Sequence, residues 1–127
     1  MEWTTIVTML ALIEVAVFGL RTGMARTRYG VKAPATTGDE MFERYYRVHY
    51  NTIEQLILFV PGLWAFGYYV SYYWAAGIGA VFLLGRIIYA VSYVRDPETR
   101  GAGTLVSMVP CWTLVIGGLT GAILHLV

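Results

Sequence analysis

No charged residue occurs between Glu54 and Arg86, and that run constrains the fold more than any other feature of the chain. A single helix through all of it would be about 46 Å long, against a bilayer core of about 30 Å. The middle of the run holds Tyr68, Tyr69, Tyr72, Tyr73 and Trp74. Tyrosine and tryptophan favour the membrane interface, where the ring is apolar and its tip is wet. The chain should therefore surface near Ser71 and turn back, which predicts helices over about 42–69 and 74–94.

Composition supports lipid as the solvent. Hydrophobic residues make up 57% and charged residues 13% of the chain, where a soluble domain carries about 25% charge, and the mean hydropathy is +0.60. The net charge of +1 provides no basic surface for nucleic acid. Cys111 is the only cysteine. It cannot form an internal disulfide, and in an apolar helix it reads as an inert packing residue.

Between Trp3 and Leu20 the only charge is Glu14, enough for one more crossing and a first helix over about 3–24. Met1-Glu2-Trp3 lacks a basic leader and no small-residue cleavage site follows, so this helix is read as retained. The polar stretch from Arg21 to Arg47 contains Pro34 and Thr36-Thr37-Gly38-Asp39. It is read as a loop, with Gly38 or Asp39 preceding a new helix. Pro97 interrupts the pattern after the third helix. A fourth helix over about 100–126 should be kinked by Pro110, and Gly117, Gly118 and Gly121 permit close packing. Residues 1–127 form one domain without internal repeats.

Loop 1–2 carries Arg21, Arg26, Arg28 and Lys32, and loop 3–4 carries Arg95 and Arg100, whereas loop 2–3 and both termini carry no lysine or arginine. The positive-inside rule places loops 1–2 and 3–4 in the cytosol and both termini on the far side. The expected fold is all-α, an integral membrane four-helix bundle.

Several polar residues fall where lipid should be. Arg47, Asn51 and Glu54 lie within a sector of roughly 60° on the second helix. Glu54 stands about 18 Å along its axis. Arg86, Tyr89 and Tyr93 share one face of the third helix. Ionisable groups at such depth normally face the bundle interior and often mark a functional site. Structural roles are open for the same residues. Arg44 reads as an interfacial anchor, Glu43 and Arg47 are spaced as an i,i+4 pair, and Arg86 with Glu54 is either a buried ion pair or part of a ligand site. Tyr89 and Tyr93 suit an aromatic belt. Glu14 reads as a protonated packing residue or a polar helix–helix contact.

The run from Glu43 to Glu54 resembles the second-helix signature E-R-x-x-R-x-H-x-N-x-x-E of the MAPEG family, the membrane-associated proteins in eicosanoid and glutathione metabolism. Gly85-Arg86-Ile87-Ile88-Tyr89-Ala90-Val91-Ser92-Tyr93, with Arg100 a short loop later, resembles its third-helix signature. Ala33-Pro34 through Gly38, and Pro110-Cys111, resemble the first loop and fourth helix of family members. The resemblance implies a homotrimer with glutathione sites between subunits at the cytosolic face, in the inner membrane if the source is bacterial. It assigns glutathione binding to Arg26, Arg47, His49, Asn51, Glu54, Arg86, Tyr89, Tyr93 and Arg100. Arg100 and Tyr93 would be catalytic, and no metal is implied. Arginines suit the two carboxylates of glutathione, Glu54 suits its ammonium, and a fixed cation at Arg100 would favour the thiolate.

Gln55, Thr27 and Gly101 stand where branches of the family with specialised eicosanoid activities carry tyrosine, arginine and serine. The resemblance therefore implies a general glutathione transferase or peroxidase acting on hydrophobic electrophiles or lipid hydroperoxides drawn from the bilayer. Two other readings remain at this stage. One is a non-catalytic, lipid-presenting protein of the same fold, and the other is a structural or transport bundle whose buried ions only pair with one another.

Overall fold

The computed structural model describes residues 1–127 as four helices: α1 (Glu2–Tyr29), α2 (Glu40–Tyr69), α3 (Tyr72–Arg95) and α4 (Gly101–Leu126), with one 3₁₀ turn at Pro97–Thr99 before α4. The short connections make an up-down-up-down arrangement. The loops 30–39 and 96–100 lie at one end, and the 70–71 turn and both termini lie at the other. Three helices, α1, α3 and α4, are long and apolar enough to cross a bilayer. The expectation of four such helices is met in number but not in composition. α2 is long enough at 30 residues but carries Glu40, Glu43, Arg44, Arg47 and Glu54 in its first half.

The expected loop from Arg21 to Arg47 is mostly helix. α1 continues through the basic residues to Tyr29, because no helix breaker precedes Gly30 and cations suit a helix C-terminus. Gly30 takes the left-handed conformation (φ 71°) that ends helices most cheaply at glycine, and the Val31 amide donates to the Arg26 carbonyl at 3.0 Å. At the start of α2, Asp39 is the cap, its carboxylate accepting from the Phe42 amide at 2.9 Å. Arg44 and Arg47 are helical residues, in keeping with the second helix expected from about residue 42. The predicted turn near Ser71 is present: Ser71 caps α3 by accepting from the Trp74 amide at 3.2 Å. Arg100 occupies the cap position of α4 instead of its first turn.

The core centres on Phe59 and Phe82, stacked at 3.9 Å, with Leu63, Leu114 and Cys111 fully buried around them. Cys111 is thus a packing residue, as read from its surroundings. α4 lies against two helices through glycine seams. Gly118 meets the backbone of Phe66 in α2, and Gly121 meets Tyr69. On the other side the position of a Cβ on Gly103 would be 2.5 Å from Tyr89 Cα, and one on Gly85 would be 2.7 Å from the Ser107 nitrogen. The α2 seam was legible from Gly118 and Gly121, while the α3 seam was not anticipated. Both α2 and α4 continue as helix through their internal prolines, Pro61 and Pro110.

Candidate functional site

The α3–α4 seam brings the face of Arg86, Tyr89 and Tyr93 against the start of α4, and α2 closes the space from the other side. The resulting cavity of about 320 Å³ is lined by Arg47, Asn51 and Gln55 from α2, Arg86, Tyr89 and Tyr93 from α3, and Arg100, Thr104 and Met108 from the beginning of α4. Another pocket, of about 200 Å³, lies between α1 and Tyr45 and contains none of the expected site residues.

Arg86 is the most constrained group. Its side chain is 2% exposed. Nε donates to Thr52 Oγ1 at 3.3 Å, and Nη2 donates to Asn51 Oδ1 at 2.7 Å and Thr52 Oγ1 at 2.9 Å. The guanidinium carbon lies 4.3 Å from the Tyr89 ring centroid, a cation–π distance, and Tyr89 stacks on Tyr93 at 5.5 Å. Nη1 makes no hydrogen bond within the chain, which leaves that edge of the planar fork for an anion in the cavity.

The structural pairings read from the sequence are replaced by others. Arg86 does not pair with Glu54, and Glu43 does not pair with Arg47. Arg47 instead reaches Glu54, two turns away, at 3.5 Å, with both side chains about half exposed. Arg44 is not a free anchor. It bonds Glu40 at 2.7 Å and donates to the last carbonyls of α3, Val94 and Arg95, at 3.1 and 3.2 Å. It thereby satisfies acceptors that a helix C-terminus leaves open. Arg100 is exposed at the cavity rim, its Nη1 held to the Pro97 carbonyl at 2.8 Å.

Six of the nine expected binding residues therefore meet in one cavity: Arg47, Asn51, Arg86, Tyr89, Tyr93 and Arg100. Glu54 adjoins it through Arg47. Arg26 and His49 do not reach it within one chain. Arg26 belongs to the last turn of α1 rather than to the loop, donates to the Ala35 carbonyl at 2.7 Å and covers the Phe42 ring at 4.8 Å. His49 faces α1, where its Nε2 lies 3.0 Å from the place a Gly19 Cβ would take. Sequence reasoning missed Gln55, Thr104, Met108 and the supporting Thr52. Helical spacing contained the signal for three of them, since Gln55 follows Asn51 by one turn and Thr104 and Met108 follow Arg100 at successive turns.

Three guanidinium groups, two amides, a hydroxyl and two phenols around one cavity suit a polar anion. The MAPEG family model matches residues 4–120 of the chain. The chain belongs to the MAPEG family. Together with its three bilayer-length apolar helices, that makes it a multi-pass integral membrane protein. Among similar MAPEG proteins, an uncharacterised protein of Synechocystis sp. is 47% identical over 92% of this chain and 85% of its own length. Human microsomal glutathione S-transferase 2 is 32% identical over 91% of this chain and 78% of its own. Bovine leukotriene C4 synthase is 35% identical over 94% and 79%.

Proposed function

We propose that this MAPEG protein is a membrane-bound glutathione transferase, able also to reduce lipid hydroperoxides, with its site facing the cytosol. The observation that carries this reading is the convergence of Arg47, Arg86 and Arg100 with Asn51 and Tyr93 on one cavity at the basic end of the bundle. Relatives named as a glutathione S-transferase and a leukotriene C4 synthase support glutathione as the cosubstrate. The donor set fits it: two carboxylates find arginines, and the ammonium finds Glu54 beside Arg47. The cavity volume is within the range of about 300–1,000 Å³ that small-molecule pockets occupy.

In the proposed reaction Arg100 stabilises the glutathione thiolate by its charge, and Tyr93 donates a hydrogen bond to the same sulfur. The thiol proton leaves to solvent at the exposed rim. The thiolate then forms a carbon–sulfur bond with an apolar electrophile entering from the bilayer; an aryl halide loses halide with the bonding pair, and an alkenal takes up a proton from solvent at its α-carbon. A homotrimer completes the site. In one chain Arg47 and Glu54 are about half exposed, and a neighbouring chain would cover them and bring its own Arg26 toward them. The deciding experiment is titration of glutathione into the detergent-solubilised protein, followed by turnover with aryl halides, alkenals and hydroperoxides. Tight binding with turnover supports the transferase, and absence of binding removes it.

A further inference from the structure

α1 presents a buried seam at Thr4, Val7, Ala11, Phe18, Thr22 and Ala25. The steps of three and four residues are those of a helix packed along one stripe, and the missing member is position 14. Glu14 fills it. Its side chain is half buried, while its neighbours Leu12, Ile13 and Val17 are exposed on the lipid side.

α1 and α3 run parallel, and two contacts set their register. Val7 lies 2.8 Å from where a Gly79 Cβ would stand, and Phe18 packs in one cluster with Tyr89 and Ala90. The step from Val7 to Glu14 to Phe18 matches the step from Gly79 to Arg86 to Ala90. Glu14 is therefore level with Arg86. Arg86 has only neutral hydrogen-bond partners, Asn51 and Thr52, and no carboxylate lies within 4 Å of it. Glu14 makes no contact ion pair.

We propose that Glu14 is the buried counter-charge of Arg86, a positioning residue that keeps the guanidinium turned toward the cavity. The role rests on the proposed glutathione site for its functional meaning, but the pairing itself does not. A lone guanidinium in a low-dielectric interior is costly, and a carboxylate at the same depth offsets that cost through space, where water does not screen it. Without Glu14 the charge would be relieved by moving Arg86 toward other acceptors, away from Asn51 and Thr52, and the free Nη1 edge would lose its aim.

The test uses the full chain in mild detergent, with Glu14→Gln, Glu14→Asp, Arg86→Gln and the Glu14→Gln/Arg86→Gln double variant. Glutathione affinity is measured by titration calorimetry and stability by thermal unfolding. Glu14→Gln should weaken glutathione binding about tenfold, and Glu14→Asp, which keeps the charge, should recover most of it. Glu14→Gln should lower the unfolding midpoint in the wild-type background and leave it unchanged or higher in the Arg86→Gln background, because the partner is then already absent. Arg86→Met is the neutral background if Arg86→Gln does not fold. Equal losses of stability in both backgrounds, or unchanged or tighter glutathione binding by Glu14→Gln, would overturn the proposal. If the wild type binds no glutathione, the proposed function fails while the unfolding cycle still decides the pairing.

Discussion

Arg86 and Arg100 carry the same charge into the same cavity under opposite conditions. Arg86 is buried and bonded on two of its three nitrogens, so in the proposed site it would serve as a fixed anion receptor. Arg100 is at the wet rim with one tether to Pro97, so it can move onto a developing charge. Arg100→Leu should raise the thiol pKa of bound glutathione by about 1–3 units. It should lower turnover with aryl halides about a hundredfold while changing glutathione affinity far less, the pattern of an interaction used mainly in the transition state. Arg100→Lys should restore part of the turnover, since a point charge remains without the planar fork. An ultraviolet pH titration of the bound thiolate beside steady-state kinetics checks all three, and identical thiolate titration in wild type and variants would reduce Arg100 to a topological anchor. Glu54→Gln removes the partner of Arg47 and, in the proposed site, the acceptor for the ligand's ammonium. Glutathione binding should weaken by about 1.5–3 kcal/mol, the range for a hydrogen bond to a charged group. Calorimetry with unchanged affinity would make Glu54 structural.

The elements are placed by caps and seams whose strengths differ. The Asp39 cap contributes about 1 kcal/mol, so Asp39→Ala should shift the unfolding midpoint slightly and leave glutathione affinity alone. The α3–α4 seam is less forgiving. At Gly103 an added Cβ would overlap the Tyr89 backbone nitrogen, and backbone cannot step aside as a side chain can. Gly103→Ala should cost about 1–3 kcal/mol in stability. Because Tyr89 stacks on Tyr93 and faces Arg86, it should also weaken glutathione binding. Thermal unfolding and calorimetry on the same sample separate the two effects, and a variant as stable as wild type would show that the helices pack less closely there than described.

At the scale of the whole molecule, lipid and neighbouring chains set the boundary conditions. The half-exposed Arg47 and Glu54 predict that the protein is trimeric in mild detergent. Native mass measurement giving only monomers at low micromolar concentration counts against that assembly and the shared site together. The asymmetric arginines predict the orientation. In a Cys111→Ser background, Ala33→Cys should react with an impermeant thiol reagent only from the cytosolic face, and Val70→Cys only from the opposite face. The reverse pattern would put the cavity on the wrong side for cytosolic glutathione.

Periodicity and charge by themselves determined the all-helical layout, the turn at Ser71, the cap region at Asp39 and the shared faces of Arg47 with Asn51 and Arg86 with Tyr89 and Tyr93. These are local properties, set by 3.6-residue spacing and by where polar groups can meet water. The expected end of the first helix near residue 24 fell short of Tyr29, because charge marks an interface without marking a helix end, and Gly30 supplied the stop. Only tertiary packing decided which partners the buried charges take. Arg86 found Asn51 and Thr52, and Arg47 found Glu54, because those choices depend on how α2, α3 and α4 are rotated against one another. The same packing turned His49 toward α1 and joined Thr104 and Met108 to the cavity. Spacing along one helix says which residues share a face, and the contacts between helices decide what that face meets.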